Sequence, residues 1–420
     1  MDNAAGAWQH MQRLAQTIGP RPVGSPAHRA AAAYIEEQMT RAGLTVRRQV
    51  WDCPDWRCEE TRLVQDAVAL PAAANWYAPS CAVSGPLVTA ETLDELAAKD
   101  LGGRIVLLHG ALTQGDVAAR GSVVYYPEES RSLNELLDAH PPAAVIAVAM
   151  RIGSLRRVFS DRQMAFPSVT VPAEVGAHLL RHRDVPVSLL IRSETTPGQG
   201  WNVIGERPGR RSERVVVSAH YDTVLDTPGA IDNASGVSAM LTVAEMLSGE
   251  DLACGLEFAA FGAEECGWYS LYAYLEPYGL QPIATPWGQD VGEVSEAWLP
   301  ILANVNMDGI GELLGPTNVA VIAGSDDLAA LVRDLREARH PGIIPSAPWP
   351  ASDHHMFYSH GVPALALNCV GVSHFTNHQP SDTLAWASRD RLAEAAAFVA
   401  DTVRALQDKD STWTRPPQAT

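Results

Sequence analysis

Two histidines and five carboxylates in this chain stand where buried apolar runs end. His220 and Asp222 follow VVVSA, Glu264 and Glu265 follow LEFAAF, Asp308 follows ILANVNM, and His378 lies in the loop beyond PALALN, while Asp232 sits in the turn DNASG that opens the next helix. Each alone has an ordinary reading: a histidine satisfied in a loop, a solvated Glu-Glu pair, a turn that caps a helix. Together they fall at one edge of one sheet, outside the carboxyl ends of its strands, where open α/β sheets bind ligands. Imidazole and carboxylate donors in mixture suit zinc, with open positions left for water. Two such ions about 3.5 to 4 Å apart need one carboxylate shared between them and a bridging hydroxide as nucleophile. The short turn carrying Asp232 over the strand ends is suited to that bridge. Adjacent glutamates point in different directions, so Glu265 is expected to face a metal and Glu264 the water. Asp222, two residues beyond His220, is placed to accept the other ring N–H of that histidine and so fix its tautomer.

The elements that must position these residues are legible as β-then-α units. VVVSA at 215–219, LEFAAF at 256–261, ILANVNM at 301–307, VAVIAG at 319–324 and PALALN at 363–368 are near-continuous apolar runs, as expected of parallel strands buried on both faces. Helical spacing appears from His28 to Arg41, from Val237 to Leu247 and from about Asp390 to Leu406. From Asp66 the texture changes: a loop-like LPAAANWYAPS precedes shorter strand-like runs, GRIVLLHG, AAVIAVAM and FPSVTVP, until TTPGQG restores the longer units. An inserted, β-rich domain fits that change. The expected organisation is a catalytic domain from 1–66 and 197–410, an insert from 67–196, and a frayed tail, 411–420, at the end of DKDSTWTRPPQAT.

With 420 residues, 46% hydrophobic and 19% charged, the chain has the balance of a globular protein of two or three units of about 150 residues each. Its 31 basic against 49 acidic residues give a formal net charge of -18, a field that repels nucleic-acid phosphates and anionic membranes. No apolar run approaches the roughly 20 residues of a membrane span, and the N-terminus lacks the basic and apolar regions of a signal peptide. A cytoplasmic protein with no nucleic-acid or membrane partner is therefore expected. The six cysteines, at 53, 58, 81, 254, 266 and 369, lack paired spacing, so reduced thiols are expected, with a Cys53–Cys58 disulfide as the alternative.

SAHYDT, AIDNASGVSAML, FAAFGAEECG, NVNMDGIG, ASDHHMFYSHGVPAL and NHQPSDT, in that order, resemble the family of dizinc aminopeptidases, which also contains glutamate carboxypeptidases and, more distantly, glutaminyl cyclases. IGPRPVGSPAHRAAAAYIEEQM resembles the usual opening of such a domain. The resemblance implies a three-layer α/β/α catalytic domain with a mixed, mostly parallel sheet of the zinc-peptidase/phosphorylase-like kind. It implies two Zn2+ per chain, one on His220 and Asp308, the other on Glu265 and His378, with Asp232 bridging. Glu264 then accepts the proton of the attacking water and returns it to the leaving amine. On GRIVLL, AAVIAV and PSVTVP the insert resembles a protease-associated domain. The implied activity is that of an aminopeptidase acting on peptides. A carboxypeptidase-type enzyme, a glutaminyl cyclase-like enzyme and a non-catalytic binding protein are the alternatives, and homo-oligomerisation is left open. One departure concerns the carbonyl: Trp349 stands near the place of a tyrosine that polarises it in some relatives, so the oxyanion donor is unassigned. Gln281 to Pro300 and Pro341 to Pro350 are expected to wall the pocket.

Overall fold

A computed structural model describes residues 3–122, 126–283 and 294–417. The chain forms two compact units, Met1–Cys53 with Gln199–Thr420, and Pro54–Gly198. Both crossings fall inside long strands, Thr45–Gln65 and Val187–Arg207. Composition shows no break within a continuous strand, which is why the sequence suggests a boundary only at the turn after Gln65, where Asp66 and Ala67 take positive φ.

In the first unit the elements in chain order are α1 (Asn3–Met11), α2 (Pro26–Arg41), β1 (Thr45–Gln65), β2 (Val187–Arg207), β3 (Arg214–His220), α3 (Gly236–Met246), β4 (Gly255–Phe261), β5 (Ile301–Met307), β6 (Thr317–Ile322), α4 (Asp326–Arg339), β7 (Ile344–Pro345), β8 (Ala364–Cys369) and α5 (Arg389–Ala405). The strands lie in the order β7-β6-β8-β5-β3-β4-β2-β1. Four of them, β8, β5, β3 and β4, run parallel to one another, so their carboxyl ends share one sheet edge. That edge carries the residues expected to ligate metal.

Side chains alternate across the sheet. Leu365 and Leu367 of β8 join the large core under the helices, with Met240 and Val243 of α3 and Phe398 of α5, whereas Ala364 and Ala366 pack with Tyr358 on the opposite face. Both faces are thus covered, and the expected mixed, mostly parallel three-layer arrangement is what forms. One expectation is corrected: the run at 319–324 belongs to β6, which is antiparallel to β8 and parallel only to the two-residue β7. A continuous apolar run encodes burial of both faces, not strand direction.

The C-terminal tail is also corrected. Asp410 caps a short helix, Ser411–Thr414, by accepting from the N–H groups of Thr412 and Trp413. Ser325 reaches the same segment, its Oγ donating to the Trp413 carbonyl at 2.6 Å and its N–H to that of Thr414 at 2.9 Å. The guanidinium of Arg415 donates to the carbonyls of Trp298, Ile301 and Gly361. Polar composition suggests fraying; the segment through Arg415 is instead held by these hydrogen bonds to buried residues.

The second unit holds a five-stranded sheet in the order 73–74, 168–171, 144–148, 105–108 and 87–90. Its last four strands are parallel, and GRIVLLHG, AAVIAVAM and FPSVTVP supply three of them. All six cysteines are unbridged, so Cys53 and Cys58 do not pair. Among the described residues no helix is long and apolar enough to cross a membrane.

Candidate metal centre

His220 is the last residue of β3, Asp308 the first after β5, and Glu264 and Glu265 stand just past β4. Asp232 comes from the turn between β3 and α3, and His378 from the loop after β8. Two groups of ligand atoms form at this edge. His220, Asp232 and Asp308 bring one donor each within 4.8 Å of one another, and so do Asp232, Glu265 and His378. Asp232 belongs to both groups through different atoms: its Oδ1 lies 3.3 Å from His220 Nε2, its Oδ2 3.3 Å from His378 Nε2. Asp308 Oδ1 is 3.3 Å from His220 Nε2, and Glu265 Oε2 is 3.1 Å from His378 Nε2. The five metal ligands expected from sequence are therefore brought together at this edge, in two groups joined by one carboxylate.

Asp222 does more than its spacing suggests. Its Oδ1 is 3.5 Å from His220 Nδ1, but its firmer contacts are with the glutamate turn: Oδ1 accepts from the N–H of Glu264 at 3.0 Å and Oδ2 from that of Glu265 at 3.1 Å. One fully buried carboxylate thus fixes the backbone of both glutamates. The same turn is held from beneath by His28, whose Nε2 lies 2.7 Å from the Gly262 carbonyl and whose ring stacks on Tyr221. Gly262 has to be glycine, because a Cβ there would meet the Trp201 carbonyl oxygen at 2.2 Å.

The turn bearing Asp232 is fixed by residues that sequence reasoning left without a role. Asp382 accepts from the N–H groups of Ile231 and Asp232 at 2.9 and 3.0 Å. Arg21, wholly buried, donates to the carbonyls of Tyr221, Pro228 and Gly229. Asn233, joined to Asp232 by a cis peptide, donates to the Met307 carbonyl and accepts from the N–H groups of Gly236 and Gly309, tying the turn to the strand that delivers Asp308. Asp382 and Arg21 lie inside NHQPSDT and IGPRPVG, so motif membership marked them, although no spacing argument could say what they held.

The electrostatics are those of crowded acids. Burial would raise the Asp232 carboxyl, but hydrogen bonds to His220 and His378 outweigh it and hold the group far below the usual range. Burial pushes Glu264 well up; His220 opposes this, and Glu265, Asp308 and Asp353 add to it. Burial also raises Asp382, to about 7, against the two N–H groups that it accepts. Asp353 is buried and, among the described residues, neither of its oxygens has a hydrogen-bond partner; burial pushes it well up, His220 opposing and Asp222, Asp308 and Glu265 assisting. Carboxylates packed this closely in a low dielectric repel one another strongly unless cations stand among them. The donor set fits zinc: each group offers an imidazole nitrogen and carboxylate oxygens, and divalent ions there would relieve that repulsion.

The carbonyl-polarising donor remains unassigned, since Trp349 packs edge-on against His354 and accepts through its own carbonyl from His354 Nε2 at 2.7 Å. Of the two stretches expected to wall the pocket, residues 284–293 lie outside the described residues, and Ile344–Pro345 is committed to the sheet edge as β7.

Residues 202–403 match the model of peptidase family M28. The chain is 28% identical over 281 residues to aminopeptidase YwaD of Bacillus subtilis (strain 168), across 65% of this chain and 58% of that protein. It is 26% identical over 273 residues to the probable lipoprotein aminopeptidase LpqL of Mycobacterium tuberculosis, across 63% of this chain and 53% of that one. The chain therefore spans less than two thirds of either relative. BSAP, a zinc aminopeptidase from Bacillus subtilis, has a similar structure: TM-score 0.75 at 23% identity, over 99% of this chain and 96% of that one. At this identity the likeness is one of fold.

Proposed function

We propose that the protein is a zinc-dependent aminopeptidase holding two ions per chain, in keeping with the match of residues 202–403 to the model of peptidase family M28. The observation that carries this reading is Asp232, which offers one oxygen to each of two groups of nitrogen and oxygen donors. His220 and Asp308 would hold one ion, Glu265 and His378 the other, and Asp232 both. When bound, the ions supply Lewis acidity toward the scissile carbonyl and make a water more acidic.

Everything else falls to the chain's own groups. Glu264 takes the proton of the attacking water on its carboxylate and gives it to the departing amine. Asp222 fixes where that carboxylate stands, because it holds the Glu264 and Glu265 backbone from both of its oxygens. Asp382, Arg21 and Asn233 keep the Asp232 turn over the strand ends. The unit Pro54–Gly198 contributes none of the proposed ligands; we read it as a protease-associated-like domain accessory to substrate choice. The names of the relatives favour removal of N-terminal residues.

The test joins metal analysis to substrate polarity. Two zincs per chain and hydrolysis of a dipeptide amide that is lost when its amino group is acetylated are expected. One zinc per chain together with cyclisation of an N-terminal glutamine, or equal hydrolysis of the acetylated substrate, would overturn the proposal.

A further inference from the structure

Asp308 and His378 are delivered by two loops that never pair as strands, Gly309–Gly315 after β5 and Val370–Asn377 after β8. One side chain joins them. Glu312 is fully buried, and its carboxylate crosses from the first loop to the second, Oε2 accepting from the N–H of Val372 at 2.9 Å and Oε1 from that of Ser373 at 2.7 Å. Those two N–H groups open the turn Ser373–Thr376, which leads through Asn377 directly into His378. His378 has φ 62, a conformation that a non-glycine side chain adopts only when its surroundings hold it there.

The space around the carboxylate is built for it. A Cβ on Gly371 would stand 2.3 Å from Glu312 Oε2, and one on Gly315 2.9 Å from the same atom. Behind the clamp, Arg391 of α5 donates to the carbonyls of Glu312 and Gly315, so the loop that carries the carboxylate is itself anchored to a long helix.

We infer that Glu312 is a positioning residue of the metal centre: through Val372 and Ser373 it fixes the His378 turn against the Asp308 loop and keeps the two halves of the site in register. The inference rests on the two-zinc reading above. It gives the halves unequal dependence on Glu312, because Asp308 follows directly from β5 and is held by its own N–H bond to the Leu367 carbonyl at 2.9 Å, whereas His378 is nine residues past the end of β8 and relies on the clamp.

Glu312→Gln keeps the shape but turns one acceptor into a donor facing an N–H. The expected result is zinc binding weakened about 10- to 100-fold at one site with the other unchanged, measured by competition against chelators of graded affinity and by elemental analysis. The lost activity should return in excess zinc. Gly371→Ala, which displaces the carboxylate without altering its chemistry, should reproduce the site-selective loss and covers the case in which Glu312→Gln does not fold. Val332→Ala, which opens a cavity at a buried position of α4, outside both loops in sequence, serves as a destabilised control and should keep both zincs. A wild-type protein with one zinc removes both readings. Two zincs in the wild type with unchanged affinities in both clamp variants, or equal weakening of both sites alongside Val332→Ala, overturns this inference alone.

Discussion

Replacing Asp222 by asparagine tests how the site is organised, because one oxygen becomes an NH2 with almost no change in shape. In the native protein both oxygens of this fully buried side chain accept, Oδ1 from the Glu264 N–H at 3.0 Å and Oδ2 from the Glu265 N–H at 3.1 Å. An asparagine can accept at only one of these positions, so the other N–H faces a donor. A buried donor left unpaired costs about 1 to 3 kcal/mol. Relief comes only by moving the glutamate turn, and the displaced group is the proposed proton carrier. If that cost is expressed wholly in the transition state, kcat falls roughly 5- to 150-fold, with KM little altered and both zincs retained at saturating zinc. Steady-state kinetics on a chromogenic aminoacyl amide, paired with metal analysis of the same sample, reads all three quantities. Retention of kcat within about twofold with both zincs bound would refute the reasoning, since it would mean that the Glu264 backbone needs no such anchor.

Glu264→Gln should bind both zincs and lose on the order of a hundred- to ten-thousandfold in kcat, beyond rescue by added zinc, whereas Glu265→Gln should lose zinc and recover in part when it is supplied; the reverse pattern would exchange the two roles. His28 is buried, and burial lowers its pKa from 6.5 to about 4, with Asp222 and the Gly262 carbonyl opposing. A histidine depressed in the folded state contributes stability that is complete above pH 6.5 and is lost as pH falls toward 4, a difference of about 3 kcal/mol. His28→Gln should therefore flatten urea midpoints across that interval by a comparable amount, and an unchanged slope would rule out His28 as the titrating group. Arg415→Ala leaves the carbonyls of Trp298, Ile301 and Gly361 without their donor, and a loss of roughly 2 kcal/mol in chemical denaturation is expected; a variant as stable as the parent would mean that the tail is dispensable.

The strands and most of the site were legible for a single reason: burial on both faces writes a continuous apolar run, and the residue that ends such a run at a parallel edge is exposed to whatever binds there. ILANVNM corresponds to β5 residue for residue, and Asp308 follows it. What stayed hidden depends on contacts between segments far apart in sequence. Asp382 reaches Asp232 from 150 positions away, and the hydrogen bond from Arg21 to Tyr221 spans 200; neither separation leaves a local period. Glu312 reaches Val372 and Ser373 across 60 and 61 positions, which again leaves no local signal. The tail misleads because Asp, Ser and Thr are as common in caps as in disordered ends, and only its contacts with Ser325 and with the carbonyls of Trp298 and Ile301 decide between the two.

The first unit is assembled from chain ends that leave the ribosome far apart in time. Residues of α1 and α2, among them Met11, Ile35 and Met39, belong to the same core as β3 and α3, but 145 residues, Pro54–Gly198, are made between them. At bacterial or eukaryotic elongation rates of about 5 to 20 residues per second, that interval lasts roughly 7 to 30 s. For that time the nascent N-terminal helices present an apolar face with no sheet to receive it, while the second unit has all of its own sequence and can fold first. The core of the first unit therefore cannot close until its insert has been made.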